Sequence, residues 1–182
     1  MQFDNYFKDY NKSIFDLLNN FDTSLIDQSV SLINSCKKNG GKIYIVGNGG
    51  SSSIASHVSV DFVKAANIQS ETFNNANLIT CFANDYGHEN WMKEAIKKYC
   101  DKGDLVILIS SSGNSKNHVV AGNYCKVKGI ELITFTGFNG KNKLAKLGKI
   151  NFSLNSKNYN QIEMVHHIWL LLACDYITKT KF

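Results

Sequence analysis

The chain has 182 residues, 43% of them hydrophobic and 19% charged, the balance of one ordinary folded domain, which argues against disorder, a collagen-like repeat or a second domain. Basic residues outnumber acidic ones by 20 to 15, for a formal charge of +5, yet every basic residue is lysine. Without arginine's bidentate fork the chain lacks the usual reader of guanine and clamp for phosphodiesters, so no nucleic-acid partner is expected, and a mildly basic surface suits small anionic substrates.

The longest apolar run, Ile168 to Cys174, falls far short of the roughly 20 residues that cross a bilayer, so no membrane span is expected. The opening MQFDNYFKDYNKSIF has no basic stretch followed by an apolar one, so no secretory signal and a cytoplasmic location are expected. Five widely spaced cysteines with no C-x-x-C pair argue against a disulfide framework or a cysteine zinc site.

Residues 1–40 read as two helices. Phe3, Tyr6, Phe7, Tyr10, Ile14, Leu17, Leu18 and Phe21 recur at helical spacing; Asp22 or Thr23 caps a second helix carrying Leu25, Ile26, Val30 and Ile33, which ends at Gly40-Gly41. Beyond that the period changes. KIYIVG (42–47), LITCFA (about 79–83), DLVILIS (104–110), IELITFT (130–136) and INFSL (150–154) are short β-branched runs separated by amphipathic stretches. Such alternation predicts a parallel sheet covered on both faces, because parallel neighbours need crossovers. The expected fold is a three-layer α/β sandwich with five parallel strands and an N-terminal helical hairpin, one domain spanning 1–182 with its α/β core from 41 onward. The last helix, about Tyr159 to Ile177, is apolar nearly all round, and a small monomer has too little interior to cover it, so a homo-oligomer is expected.

Two strand-to-helix loops suit anions. VGNGGSSS (46–53) has Gly47, Gly49 and Gly50 for a sharp turn and Ser51 to Ser53 opening a helix; ISSSGNSKN (109–117) sets Ser110, Ser111, Ser112 and Ser115 around Gly113-Asn114. Backbone N–H groups at helix N-termini bind phosphate without arginine, and serine hydroxyls add donors. Neither loop completes a dinucleotide fingerprint or a P-loop, since Ser52 stands at the third glycine position and no GK[ST] follows, so no nucleotide cofactor is expected.

The stretches IYIVGNGGSSSIASHVSVDF, LITCFANDYG, KGDLVILISSSGNSKNHVVA and ELITFTGFNG resemble, in order and spacing, the sugar isomerase (SIS) family and its phosphoheptose isomerases, over essentially the whole chain. That resemblance implies a flavodoxin-like sheet, a homotetramer with active sites at subunit interfaces, and conversion of sedoheptulose 7-phosphate to D-glycero-D-manno-heptose 7-phosphate for bacterial surface polysaccharide. Carried over by position, Gly49, Ser51, Ser110, Ser111, Ser112 and Ser115 bind phosphate, Asn48 lies beside the sugar, and Asp85 lies near the substrate.

The proton-transfer positions fit less well. After GNGGS the family carries a histidine and, four residues on, a catalytic glutamate; here these are His57 and Asp61. On the last helix its glutamine and its catalytic histidine eight residues on fall at Glu163 and Leu171, and leucine moves no proton. His166 and His167 are the nearby imidazoles. Isomerisation through an enediol needs a base, an acid or metal near the oxygens, and a phosphate anchor. Asp61, Glu163, His166 and His167 are the catalytic candidates; His57, Asp61 and Glu163 are the ligands for a mixed N/O zinc site of the kind some family members have. The alternatives are an isomerase for another sugar phosphate and a non-catalytic family member that binds a phosphosugar or a protein. Phe7, Tyr10, Trp91, Trp169 and Leu171 read as packing.

Overall fold

The computed structural model describes residues 2–181. The hairpin comprises α1 (Phe3–Asn19) and α2 (Ser24–Lys38), followed by β1 (Ile43–Gly47), α3 (Gly50–Lys64), β2 (Ser70–Glu71), α4 (Ala76–Tyr86), α5 (Trp91–Tyr99), β3 (Leu105–Ser110), α6 (Lys116–Lys128), β4 (Glu131–Thr136), β5 (Ile150–Ser153) and α7 (Tyr159–Thr178). All neighbouring strands are parallel, in the order β2-β1-β3-β4-β5. The order reverses between β1 and β3, and an open α/β sheet places its ligand crevice beyond the strand ends at such a switch point.

The strands alternate between two buried layers because side chains on a strand have a period of two. Ile43, Ile45, Leu105, Ile107 and Ile109 face the layer shared with α2, α3 and α7; Tyr44, Val46, Val106 and Leu108 face the layer beneath α4, α5 and α6. Trp91 and Trp169, each 2% exposed, anchor the two layers, as packing residues should.

One expected strand is a helix. LITCFA lies within α4, where Leu78, Ile79, Phe82 and Ala83 meet the second layer at helical spacing, and the Asn75 side chain caps the helix by accepting from the Asn77 and Leu78 amides. The fifth strand is instead the two-residue β2, whose Ser70 and Glu71 pair with Ile43 and Tyr44.

The last helix is buried on one side only. Met164, Ile168, Leu172 and Tyr176, four apart, form a solvent-facing apolar row, and α1 leaves Phe3, Tyr6, Phe7 and Phe15 exposed. No helix among the described residues is long and apolar enough to cross a membrane.

Candidate active site

Both serine loops begin where β1 and β3 end as neighbours, at the paired residues Gly47 and Ile109. A side chain on Gly47 would strike the Ser51 backbone, and Gly49 has φ +54°, so this turn needs both glycines. In the second loop the Gly113 amide donates to the Ser110 carbonyl at 2.9 Å, and the Gly137 amide donates to the Ser111 carbonyl at 2.8 Å. The two loops are joined by reciprocal amide hydrogen bonds: Asn48 Nδ2 donates to Asn117 Oδ1 (3.2 Å) and Asn117 Nδ2 donates to Asn48 Oδ1 (3.0 Å).

Between them lies a cavity of about 120 Å³ lined by Asn48, Ser51, Ser110, Ser111, Ser112 and Ser115, with Ile109, His118, Tyr159 and Glu163 completing its wall. The first turns of α3 and α6 flank it, so two sets of free N–H groups and the serine hydroxyls converge. Ser111 Oγ is buried with no hydrogen-bond partner among the described residues. Gly49 shapes the turn next to this cavity. Asp85 stands apart, exposed on α4 and hydrogen-bonded by the Asn84 amide (3.0 Å); its successors Tyr86 to Asn90 line an adjoining cleft that shares Asn48 and Ser115 with the cavity.

Gly113 is the strained point of the cradle. Its φ is +62°, and a methyl group there would run into the Asn142 amide, which is buried and held by Gly137 O (3.2 Å) and the Ala145 amide (2.9 Å). Gly113→Ala is expected to cost about 2 kcal/mol from left-handed backbone strain and the displaced amide, read as a lower denaturant midpoint, together with weaker phosphate binding. An unchanged midpoint would contradict this account.

A second group lies farther along α3. Gly50, His57 and Asp61 share one face of the helix, and α7 runs beside that face in the same sense. The Glu163 carboxylate rests against Gly50 Cα, where a methyl group would collide with it; His57 Nδ1 lies 2.8 Å from His167 Nε2; Asp61 Oδ2 lies 3.3 Å from His57 Nε2. The two imidazoles meet edge to face. Burial and then the neighbouring His57 push the His167 pKa below its ordinary value, while Asp61 works the other way. The His57 and Asp61 side chains are 53% and 33% exposed, so this group opens to one side.

These positions change the sequence-based expectations in three ways. Glu163 joins the serine cradle, not the histidines, because α7 aligns it with the first residue of α3. His166 turns into the core: it is fully buried, its Nε2 donates to the Thr136 carbonyl at 3.1 Å, and it packs on Phe135 and Trp169. His167, one turn after Glu163, takes the place opposite His57, while Leu171 packs against the core.

The expected zinc ligands His57, Asp61 and Glu163 therefore do not assemble. Both ring nitrogens of His57 face side-chain partners at hydrogen-bonding or ion-pair distance, the Glu163 carboxylate rests against Gly50 at the start of α3, and no group of three His, Cys, Asp or Glu side chains among the described residues is placed to hold a metal. His118, Asn117 and Tyr159 are the contributors that sequence reasoning missed. Asn117 lay within the serine motif, but its pairing with Asn48 is a contact across 69 residues that spacing does not reveal.

Glu163 places negative charge in a cradle built for an anion. Glu163→Gln is expected to tighten inorganic phosphate binding about fivefold, the scale of roughly 1 kcal/mol for one partly screened charge. Calorimetry showing weaker binding would assign the carboxylate a supporting role instead.

The fold is of the doubly wound α/β class, with a serine-lined cavity beyond the ends of its central strands. The chain belongs to the SIS domain family, whose profile matches residues 5–137. Over 168 residues it is 32% identical to the phosphoheptose isomerase of Aneurinibacillus thermoaerophilus, covering 87% of this chain and 84% of that one. The structure is similar to phosphoheptose isomerases from Neisseria gonorrhoeae (TM-score 0.87, 23% identity, 97% of each chain) and Francisella tularensis (TM-score 0.86, 24% identity, 98% and 97%).

Proposed function

We propose that this chain is an aldose–ketose isomerase acting on a seven-carbon sugar phosphate, interconverting sedoheptulose 7-phosphate and D-glycero-D-manno-heptose 7-phosphate in the bacterial cytoplasm for capsule or lipopolysaccharide synthesis. The observation that carries the reading is the placement of an imidazole pair and a carboxylate on the same face of α3 as the cradle. From Gly50 to His57 the helix rises roughly 10 Å, and a seven-carbon chain with bonds of about 1.5 Å extends over a comparable distance. A substrate with its phosphate in the cradle thus brings its carbonyl end toward the histidines.

The roles follow from the chemistry. Ser51, Ser110, Ser111, Ser112 and Ser115 hold phosphate with the amides of α3 and α6, and Asn48 faces the sugar. His57 and His167 share a proton, so one ring takes a proton from the hydroxyl-bearing carbon beside the carbonyl, the hydroxyl proton passes to the carbonyl oxygen through the enediol, and the pair returns the first proton to the former carbonyl carbon; Asp61 orients His57. Two imidazoles and a carboxylate are donor types that zinc takes, but here they are engaged with one another.

The half-exposed pair needs a cover, and a second copy supplies it in this reading. Val60, Val63, Met164 and Ile168 are exposed beside His57 and His167, and the apolar row continues to Leu172 and Tyr176. A homotetramer with its sites at interfaces accounts for that surface. Ile168→Glu is expected to convert the assembly to smaller species by light scattering and to abolish turnover; a wild-type protein of single-chain mass would remove the interface from this reading.

The deciding experiment follows sedoheptulose 7-phosphate with purified protein in D₂O by NMR, with and without added zinc. Heptose phosphate carrying deuterium beside the carbonyl is the expected product. Tight binding without exchange would support the second reading, which the leucine at 171 favours: a family member that keeps the phosphate cradle and binds a phosphosugar without turning it over.

A further inference from the structure

Besides Ser111 Oγ, one more buried polar atom in the cradle lacks a partner among the described residues, His118 Nε2. His118 is 1% exposed, stands on α6 and forms part of the cavity wall. Its ring has a defined tautomer. The His118 backbone N–H donates to Asn117 Oδ1 at 3.1 Å, which identifies that atom as oxygen, and Nδ1 lies 3.2 Å from the same oxygen. Oxygen there can only accept, so in the neutral ring Nδ1 carries the proton and Nε2 presents a lone pair.

The surroundings leave that lone pair uncompensated. Burial pushes the ring pKa down to about 4, with the Ile109 carbonyl acting the other way. Glu163 and Tyr159 are the ionisable groups across the cavity, α5 offers apolar Met92, Ala95 and Ile96 to the layer beneath α6, and Cys125 on α6 is held neutral by burial, its thiol pushed up to about 12. Among the described residues no lysine lines the cavity.

Resting on the phosphosugar reading of the cradle, we propose that His118 is a further phosphate-site residue: Nε2 meets a phosphate oxygen through one proton, and Nδ1, held on Asn117 and through it on Asn48, ties occupancy of the cradle to the loop facing the sugar. The proton arrives on the phosphate monoanion, whose P–OH donates to Nε2, or is taken from water onto the ring when the dianion binds. Either route supplies the missing partner, and the second makes the buried imidazolium an ion pair with phosphate.

The test uses full-length protein labelled with ¹⁵N and titrated with inorganic phosphate. The Nε2 resonance of His118 is expected to move from its lone-pair position toward the protonated one, with the same concentration dependence as the amides of Ser111 to Ser115. His118→Gln is expected to weaken phosphate binding about tenfold. Serine-loop amides that shift while Nε2 stays fixed would overturn the role of His118 and leave the cradle standing; a cradle in which neither responds would overturn both. Unchanged phosphate affinity in folded His118→Gln would also overturn it, and the wild-type ring signal does not depend on how that variant folds.

Discussion

His167→Ala is expected to lower kcat for the heptose phosphate by roughly two to four orders of magnitude, the range over which a positioned acid–base group contributes, while phosphate affinity stays near its wild-type value. The separation of the two effects follows from geometry: His167 meets His57 at 2.8 Å, about two turns along α3 from the serine loops. His57→Ala should cost about as much, and the double variant little more, because two rings sharing one proton fail as a unit. The pH profile adds a check. A base must be neutral to work, so activity falls as pH drops through the pKa of His167. His167 is held below the ordinary imidazole value by burial and by His57, which moves that acidic limb below about 6.5. Asp61 opposes the shift, so Asp61→Asn moves the limb further toward acid. A His167→Ala enzyme within tenfold of wild type would dismiss the pair as the proton-transfer group.

The geometry of the two serine loops was legible in the sequence and the meeting of His57 with His167 was not, for a physical reason. Each serine loop is local: Gly47, Gly49 and Gly113 stand where the turn demands them, and the hydroxyls follow within a few residues, so short-range spacing fixes the chemistry. The histidine pair instead depends on how α7 lies along α3. Position-by-position resemblance pointed to Leu171 and left Glu163 as the substitute base, but the packing of Trp169 and Leu170 into the core turns Leu171 inward and brings His167 to His57. His166 and His167 are sequence neighbours with opposite fates because adjacent helical residues point about 100° apart. The α4 error has a similar origin: LITCFA is a short apolar run that suits a strand or a buried helix face, and the Asn75 cap decides between them. The two buried layers, by contrast, follow from the continuous apolar runs of β1 and β3, which call for cover on both faces of the sheet.

Stability is expected to fall steeply as pH drops from about 6.5 toward 4, by up to about 3 kcal/mol for each of two buried histidines. His118 and His166 are 1% and 0% exposed, and burial pushes each pKa down to about 4. In the unfolded chain both rings take up a proton near 6.5, whereas the native rings stay neutral until about pH 4, so between those values the unfolded state binds more protons and stability rises with pH. The full contribution is present above the unfolded value and is lost as pH falls through the window. For His166 the structural cause is plain: Nε2–H is spent on the Thr136 carbonyl at the end of β4, Nδ1 is buried without a partner, and a second ring proton would be a cation packed against Phe135 and Trp169. Denaturant midpoints at pH 7 and pH 4.5 measure the loss, and His166→Gln should flatten the slope by about half while lowering stability at pH 7. Equal midpoints at the two pH values would mean that both rings find a counter-charge when protonated. Because His118 stands in the cradle wall, bound phosphate should recover its share of the loss at pH 4.5, by supplying the counter-charge that the empty fold withholds.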